Sequence, residues 1–585
     1  MISTLVELVR ERSFRTPENL AYSFRAEGKP EARFTYQKLD EESRRIASLL
    51  AMRVAPGSRA MLIYNPGLEF VAAYFGCLFA GVIAVPVYPP SPPHYEGFVN
   101  LERVFRNAGV ELVLTSQSLA GLPNVLPEVH ERFQGVPWLV TDRAGQGDAE
   151  AWRDPGVKPA TVAFLQYTSG STADPRGVIV RHENLLANQK AIHWYAEQSE
   201  KGAMVSWLPM YHDMGLIGAV MYPLYLGMPC YLMSALEFLQ HPLRWLKLIS
   251  DVRGTISGGP NFAYELCVKR ISESDRAGLD LSSWEVAFNG SEPIKSDTVR
   301  RFEETFRPCG LRPAAMVGCY GMAEATLLIT GTRDRRARFA AVQRNELEMG
   351  QITELASASV NDADITEIVT SGGVPVDHDV RVVDPETRFE LEPGNVGEIW
   401  FRGASVAQGY WNQPEETAAT FAGVLASETE PGRYYLRTGD KGMFLDGQIY
   451  ITGRLKDLLV IRGRNIHPQD VEQAAQAVDA QMRPGRGVAV PMKTEDGEGV
   501  VLIQEINARG RLGMEKLAQM AREAVLTSQQ VSLAAIYFVP PHAVRRTTSG
   551  KLRRRATQAA LEAGEIKVLH QDLELAQGLV ERTSI

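Results

Sequence analysis

The run Tyr167-Thr-Ser-Gly-Ser-Thr-Ala-Asp-Pro-Arg-Gly-Val178 gathers four hydroxyl side chains, Thr168, Ser169, Ser171 and Thr172, around Gly170, and closes on a second glycine, Gly177. That chemistry suits a polyphosphate: a glycine lets backbone N–H groups approach anionic oxygens, and short hydroxyls add adaptable donors. No Gly-Lys-Ser/Thr ends the loop, which disfavours the common P-loop. Read alone, the loop is equally a solvated turn. Charged side chains elsewhere in the chain would have to join it for phosphoryl chemistry.

A folded scaffold must bring these groups together. At 585 residues and 45% hydrophobic content the chain is too long for one core and should form two or more domains. From residue 243 the pattern alternates: helix over 243–252, strand over 255–257, helix over 262–272, strand over 285–288, helix over 296–306, strand over 315–318. Such βαβ rhythm puts parallel strands in one sheet with helices on its faces, and ligands bind at the strands' carboxyl ends. Three polar, glycine-bearing loops fall there: residues 167–172, Asn289-Gly-Ser-Glu-Pro293 and Cys319-Tyr-Gly-Met-Ala-Glu324. Beyond residue 365 the texture turns to short strands with turn signals, a smaller β-rich subdomain, and a final α+β unit follows residue 453.

Several classes are disfavoured. A formal charge of −8 speaks against a general nucleic-acid binder. The five cysteines are scattered without a C-x-x-C pair, which fits buried thiols in a reducing cytoplasm and not a zinc site. The N-terminus mixes acids into its apolar positions and does not read as an export signal. Two apolar runs, 70–90 and 216–236, have the length of a membrane span. The first reads as a helix over 70–80, stopped at Gly81 and followed by a strand over 82–87, and the second is broken by Pro223, Gly227 and Pro229. Both are expected to be core elements, with no transmembrane segment.

Taken together, the motifs resemble the adenylate-forming superfamily of acyl-CoA synthetases, luciferases and peptide-synthetase adenylation domains. The resemblance rests on the hydroxyl-rich loop, Trp207-Leu-Pro-Met-Tyr-His-Asp-Met-Gly-Leu, Tyr320-Gly-Met-Ala-Glu324, Tyr435-Leu-Arg-Thr-Gly-Asp440, Gly453-Arg-Leu-Lys-Asp457 and Thr547-Thr-Ser-Gly-Lys551, in family order over nearly the whole chain. Within it, Pro86-Val-Tyr-Pro-Pro90, Gly258-Gly-Pro-Asn-Phe-Ala-Tyr-Glu-Leu-Cys267, Asn289-Gly-Ser-Glu-Pro-Ile294 and Gly463-Arg-Asn-Ile-His-Pro-Gln-Asp470 resemble the fatty acyl-AMP ligases. About fifty residues, 327–380, separate the Tyr-Gly-Met-Ala-Glu motif from the next expected strand, like the insertion of that subfamily, or a tolerated surface loop.

The resemblance implies an α/β adenylate-forming fold. A large N-terminal domain (1–452) of parallel-rich α/β sheets would include the β-rich subdomain at about 365–452, and a small mobile α+β C-terminal domain (453–585) would carry the catalytic lysine. The implied reaction activates a long-chain fatty acid with ATP and Mg²⁺ to acyl-AMP, then passes the acyl group to the phosphopantetheine thiol of a separate acyl carrier protein, in the cytoplasm. A long-chain acyl-CoA synthetase and a silent nucleotide-binding relative are the alternatives.

By the same resemblance Lys551 bridges carboxylate and phosphate, although Arg545 stands where many relatives carry proline; read alone, Lys551 is one more cation. Glu324 would hold magnesium, or else a buried salt bridge. Tyr320 would stack on adenine with Gly290, Ser291 and Glu292 on its other side, beside Gly321, Met322 and Ala323. Asp440 would accept both ribose hydroxyls, Arg454 would reach the nucleotide, and Lys456 would sit at the hinge. His212 would lie between carboxylate and departing pyrophosphate, and Asp213 would orient it or cap the next helix. Trp207, Met210, Met214, Ile217, Phe262 and Tyr264 are candidates for an acyl tunnel, with core packing as the alternative.

Overall fold

The computed structural model describes the chain except residues 1, 90–94, 122–134, 144, 169–174, 335–336, 344–345, 348–349, 351–364, 456–458, 462–463, 467, 495–496, 508–509, 511, 530, 548–551 and 574–585. Ser169, Gly170, Ser171, Thr172, Lys456 and Lys551 therefore lie outside the described residues.

The alternation becomes an eight-stranded sheet. In spatial order its strands are Leu328–Gly331, Met316–Gly321, Val286–Asn289, Ile256–Gly259, Met204–Ser206, Cys230–Leu232, Leu20–Phe24 and Ala32–Thr35. The two outermost pairings are antiparallel and the rest parallel. A second sheet of six strands runs Trp138–Val140, Leu112–Thr115, Arg59–Ile63, Ile83–Val87, Val162–Thr168 and Arg176–Arg181, parallel except for its last pair. Strands covered on both faces read as unbroken apolar runs, and every residue of Ile83–Val87 is buried. The preceding helix Leu68–Phe79 is buried almost all round, which is why its composition mimics a membrane span. Among the described residues no helix is long and apolar enough to cross a membrane.

Helices Leu243–Val252 and Ser296–Phe306 have the bounds their periodicity predicts. In the latter Thr298, Val299, Phe302 and Phe306 form the buried stripe. A four-stranded antiparallel sheet follows (Asp379–Val383, Gly397–Arg402, Leu436–Leu445, Gln448–Arg454), then a mixed sheet of Gly487–Thr494, Gly497–Glu505, Leu533–Val539 and His570–Leu573. Cys77, Cys230, Cys267 and Cys309 are buried, and Cys319 is partly so.

Four expectations need correction. Cys319, Tyr320 and Gly321 belong to strand Met316–Gly321, paired to Leu328–Gly331, so only the end of that motif is loop. Gly177 is not part of a phosphate loop: it pairs with Tyr167 in the sheet, and a Cβ there would meet the Tyr167 ring at 2.8 Å. Stretch 327–380 is not strandless, because Leu328–Gly331, Phe339–Gln343 and Ile365–Val369 fall inside it. Short β-branched runs between charged residues hid these strands. The apolar run from 216 is not broken at Pro223: the π-helix Met214–Met221 passes directly into helix Tyr222–Leu226, with Pro223 in its first turn, and the break falls at Gly227.

Candidate active site

At the carboxyl ends of neighbouring strands the segments 289–293 and 319–324 come together, while most of the third expected loop, 167–172, lies outside the described residues. Asn289 ends its strand, Gly290 follows, and Ser291 takes a left-handed φ of 70°. A Cβ on Gly290 would approach Cys319 Sγ at 2.6 Å and its carbonyl oxygen at 2.8 Å, so only glycine lets these neighbouring strand ends lie so close. Glu292 Oε1 accepts the Phe262 N–H at 2.6 Å, placing a carboxylate on an orphan donor in the first turn of helix Asn261–Arg270. Asn261 Oδ1 accepts from Asn289 Nδ2 at 3.3 Å and from the Lys295 N–H at 3.1 Å, tying this loop to that helix.

Tyr320 projects from the next strand, 8% exposed, and its hydroxyl donates to Asp440 Oδ2 at 2.8 Å. Arg454 Nε donates to Asp440 Oδ1 at 3.0 Å. Asp440 is thus engaged on both oxygens, by one buried phenol and by an arginine whose side chain is 63% exposed. Past Gly321 and Met322, Glu324 sits in a short 3-10 turn, Ala323–Ala325. Thr326 closes that turn at φ 71°, a rare conformation for a β-branched residue, and is held there by its hydroxyl donating to Ser405 O at 2.6 Å.

Glu324 is 7% exposed. Burial pushes its carboxyl above the ordinary value, and the Tyr410 hydroxyl, donating to Oε1 at 2.7 Å, opposes the rise. Arg454 pulls in the same direction as Tyr410. Tyr410 lies under Arg176, whose guanidinium sits 5.3 Å from the ring centroid, and packs edge-on against Phe421. Arg176 and Thr168 are paired residues at the end of the hairpin that bears the hydroxyl loop. A lone carboxylate does not make a metal cage, and among the described residues no group of three or more His, Cys, Asp or Glu side chains does. One hard oxygen donor does suit Mg²⁺, which keeps water and phosphate oxygens for its other positions.

His212 and Asp213 pair through Nδ1 and Oδ1, and the same Asp213 oxygen accepts the Met214 N–H at 2.7 Å. The aspartate therefore both orients the histidine and caps the π-helix, a helix form found often at functional sites. Trp207 stacks on Phe238 at 4.0 Å and meets Trp245 and Phe262 edge-on at 6.0 Å. Met210 and Met214 are nearly buried; Ile217 and Tyr264 are wholly buried, and Tyr264 donates to Phe288 O at 2.7 Å. Near the C-terminus, burial, with Arg486 adding to it, pushes the Arg546 guanidinium down to about 10, while Glu505 and Glu292 draw it back. Arg546 thus lies within electrostatic reach of Glu292.

Sequence reasoning missed Tyr410 and gave no role to Arg176 or Asn261, although these two stand inside the quoted runs 167–178 and 258–267. Each is defined by its partner across the fold.

Residues 9–411 match the AMP-binding enzyme family. The medium-chain-fatty-acid–[acyl-carrier-protein] ligase JamA of Moorena producens is 37% identical over 571 residues, covering 96% of each chain. The long-chain-fatty-acid–AMP ligase FadD26 of Mycobacterium tuberculosis is 36% identical over 575 residues, covering 94% of this chain and 95% of its own. A crystal structure of a fatty acyl-adenylate ligase from L. pneumophila in complex with acyl adenylate and pyrophosphate superposes with a TM-score of 0.74 at 34% identity, covering 98% of both chains. With a family match over residues 9–411 and relatives aligned over almost their whole length, the chain belongs to the AMP-binding, adenylate-forming enzyme family, in its fatty acyl-AMP ligase branch.

Proposed function

We propose that this enzyme activates a medium- or long-chain fatty acid with ATP and delivers the acyl group to the phosphopantetheine thiol of an acyl carrier protein. The observation that carries this is the meeting of Tyr320 and Glu324, at the end of a strand of the parallel-rich sheet, with Asp440 and Arg454 of the antiparallel sheet and with Tyr410, in a chain whose full-length relatives are named for these substrates. The fatty carboxylate oxygen attacks the α-phosphorus, the bond to the β-phosphate bridging oxygen breaks, and pyrophosphate leaves. In the second half the thiol sulfur attacks the acyl carbon and AMP departs with the electron pair of the anhydride bond.

Two anions must meet, so the site supplies positive charge and donors where charge builds up. Lys551 bridges the reacting carboxylate and phosphate. His212, held by Asp213, donates toward the departing phosphates; no general base is needed, because a carboxylic acid is already ionised at neutral pH. Asp440 takes the ribose and Arg454 the nucleotide, while Tyr320 and residues 290–292 and 321–323 line the purine. Thr168, Ser169, Gly170, Ser171 and Thr172 wrap the phosphates. Glu324 would hold Mg²⁺, which supplies charge neutralisation at the phosphate oxygens. Trp207, Met210, Met214 and Phe262 border the acyl chain, and Ile217 and Tyr264 back that wall. Residues 453–585 act as a lid turning about Lys456, and the 327–380 stretch restrains that turn in favour of carrier protein over coenzyme A.

The test offers purified enzyme ATP, Mg²⁺ and fatty acids of graded length with both coenzyme A and a holo carrier protein, and reads products by mass spectrometry. Acyl carrier protein should accumulate acyl chains. Rapid acyl-CoA formation would overturn the acceptor assignment, and absence of acyl-AMP with every chain length would overturn the whole reading.

A further inference from the structure

We infer that Glu398, buried in the strand beside the one bearing Asp440, is a positioning residue that aims the Asp440 carboxylate; this rests on the reading of Asp440 as the ribose acid. Strand Gly397–Arg402 pairs with Leu436–Leu445 through Phe401 opposite Leu436 and Trp400 opposite Arg437, and resumes at Glu398 opposite Lys441. Ile399 alone therefore faces Thr438, Gly439 and Asp440, so the site strand carries a bulge two residues wide. On its other side Asp440 pairs with Arg454 and Lys441 with Gly453, but the ladder then skips to Gly442 opposite Ile451. Asp440 thus stands inside the interruption on one flank and two residues from a second interruption on the other.

A bulge frees backbone groups that need partners. Gly439, at φ 69°, turns its N–H to Glu398 Oε1 at 3.1 Å, and its carbonyl accepts the Leu455 N–H at 2.9 Å. Asp440 N–H goes to Thr438 Oγ1 at 3.1 Å, and that hydroxyl donates to Ile399 O at 2.7 Å. Glu398 is 2% exposed, an acid in a strand otherwise buried with apolar residues. Its second oxygen accepts from Trp400 Nε1 at 2.8 Å and from Arg437 Nε and Nη2 at 3.1 and 3.0 Å, and Arg437 lies over the Trp400 ring at 5.4 Å. A buried carboxylate is retained only where its donors are complete, and here one of them is the amide next to Asp440. Glu398 therefore clamps the bulge from the core side, and through Gly439 O the same turn holds Leu455, next to the proposed hinge.

The experiment compares ATP with 2′-deoxy-ATP in fatty-acid-dependent adenylation, because only a correctly aimed carboxylate rewards the 2′-hydroxyl. Wild type should prefer ATP by about tenfold or more in kcat/KM, the worth of one charge-assisted hydrogen bond. Glu398→Gln should narrow that ratio to within about threefold, chiefly through KM for ATP, and Glu398→Asp should recover part of it. If Glu398→Gln does not fold, Arg437→Gln carries the same comparison by removing the clamp's lateral anchor. A loss of activity equal for both nucleotides, with the ratio kept, overturns the inference and makes Glu398 merely structural. A wild type indifferent to the 2′-hydroxyl overturns the ribose assignment itself, an outcome distinct from the first.

Discussion

Replacing Tyr410 by Phe removes one oxygen atom from a place where water cannot substitute for it. Both partners are buried, Tyr410 to 4% and Glu324 to 7%, and the hydroxyl meets the carboxylate at 2.7 Å, the short distance of a charge-assisted bond. The phenyl ring that remains keeps its place under Arg176 and against Phe421, so packing changes little. The loss is then that of a hydrogen bond to a charged group, about 1.5–3 kcal/mol. If Glu324 binds the metal, part of that loss reappears in the metal's hold on the site, since removing a group that orients a ligand weakens metal binding by about 10–100-fold. Chemical denaturation of the free enzyme measures the first quantity. Calorimetric titration with Mn²⁺ and a non-cleavable ATP analogue measures the second without turnover. A stability change below about 0.5 kcal/mol together with unaltered Mn²⁺–nucleotide affinity would refute the reasoning.

Lys551→Ala should leave the thermal midpoint unchanged and lower acyl-AMP synthesis by about 100-fold or more, read as fatty-acid-dependent pyrophosphate exchange; an unaffected rate removes the lysine from the mechanism. His182 offers a pH test far from the site. Its Nδ1 accepts the Leu5 N–H at 3.1 Å and burial pushes it down to about 4, so the unfolded chain binds a proton below about 6.5 that the folded chain refuses until about 4. Stability should therefore fall as pH drops through that window, by about 2 kcal/mol between pH 7 and pH 5. His182→Asn, which can still accept that N–H, should remove this part of the slope, and denaturant midpoints that move equally in both proteins would contradict it.

Much of the fold was legible because its strands and helices obey simple periods. The alternation after residue 243 reports a parallel sheet, and Ser296–Phe306 shows its buried stripe directly in Thr298, Val299, Phe302 and Phe306. The site was legible where glycine, hydroxyl and acid fall in a fixed local order, as around Tyr320 and Asp440. It was illegible where partners are remote in sequence. Tyr410 meets Glu324 across 86 residues, and Glu398 meets Gly439 across 41, separations over which no local pattern operates. Gly177 misled for the opposite reason: a glycine beside a phosphate-like loop invites a catalytic explanation, whereas the Tyr167 ring above it needs only the missing Cβ.

Asp440 carries a consequence for how tightly a nucleotide can be held. Its two oxygens each accept from one donor, Tyr320 and Arg454, and each keeps a further lone pair, so an arriving sugar meets a carboxylate already held in place. Little has to be reordered on entry, and of the two partners the solvent-facing guanidinium is the cheaper to shift aside. That arginine stands one residue before Leu455, so its hold on Asp440 is tied to the course of the chain that follows.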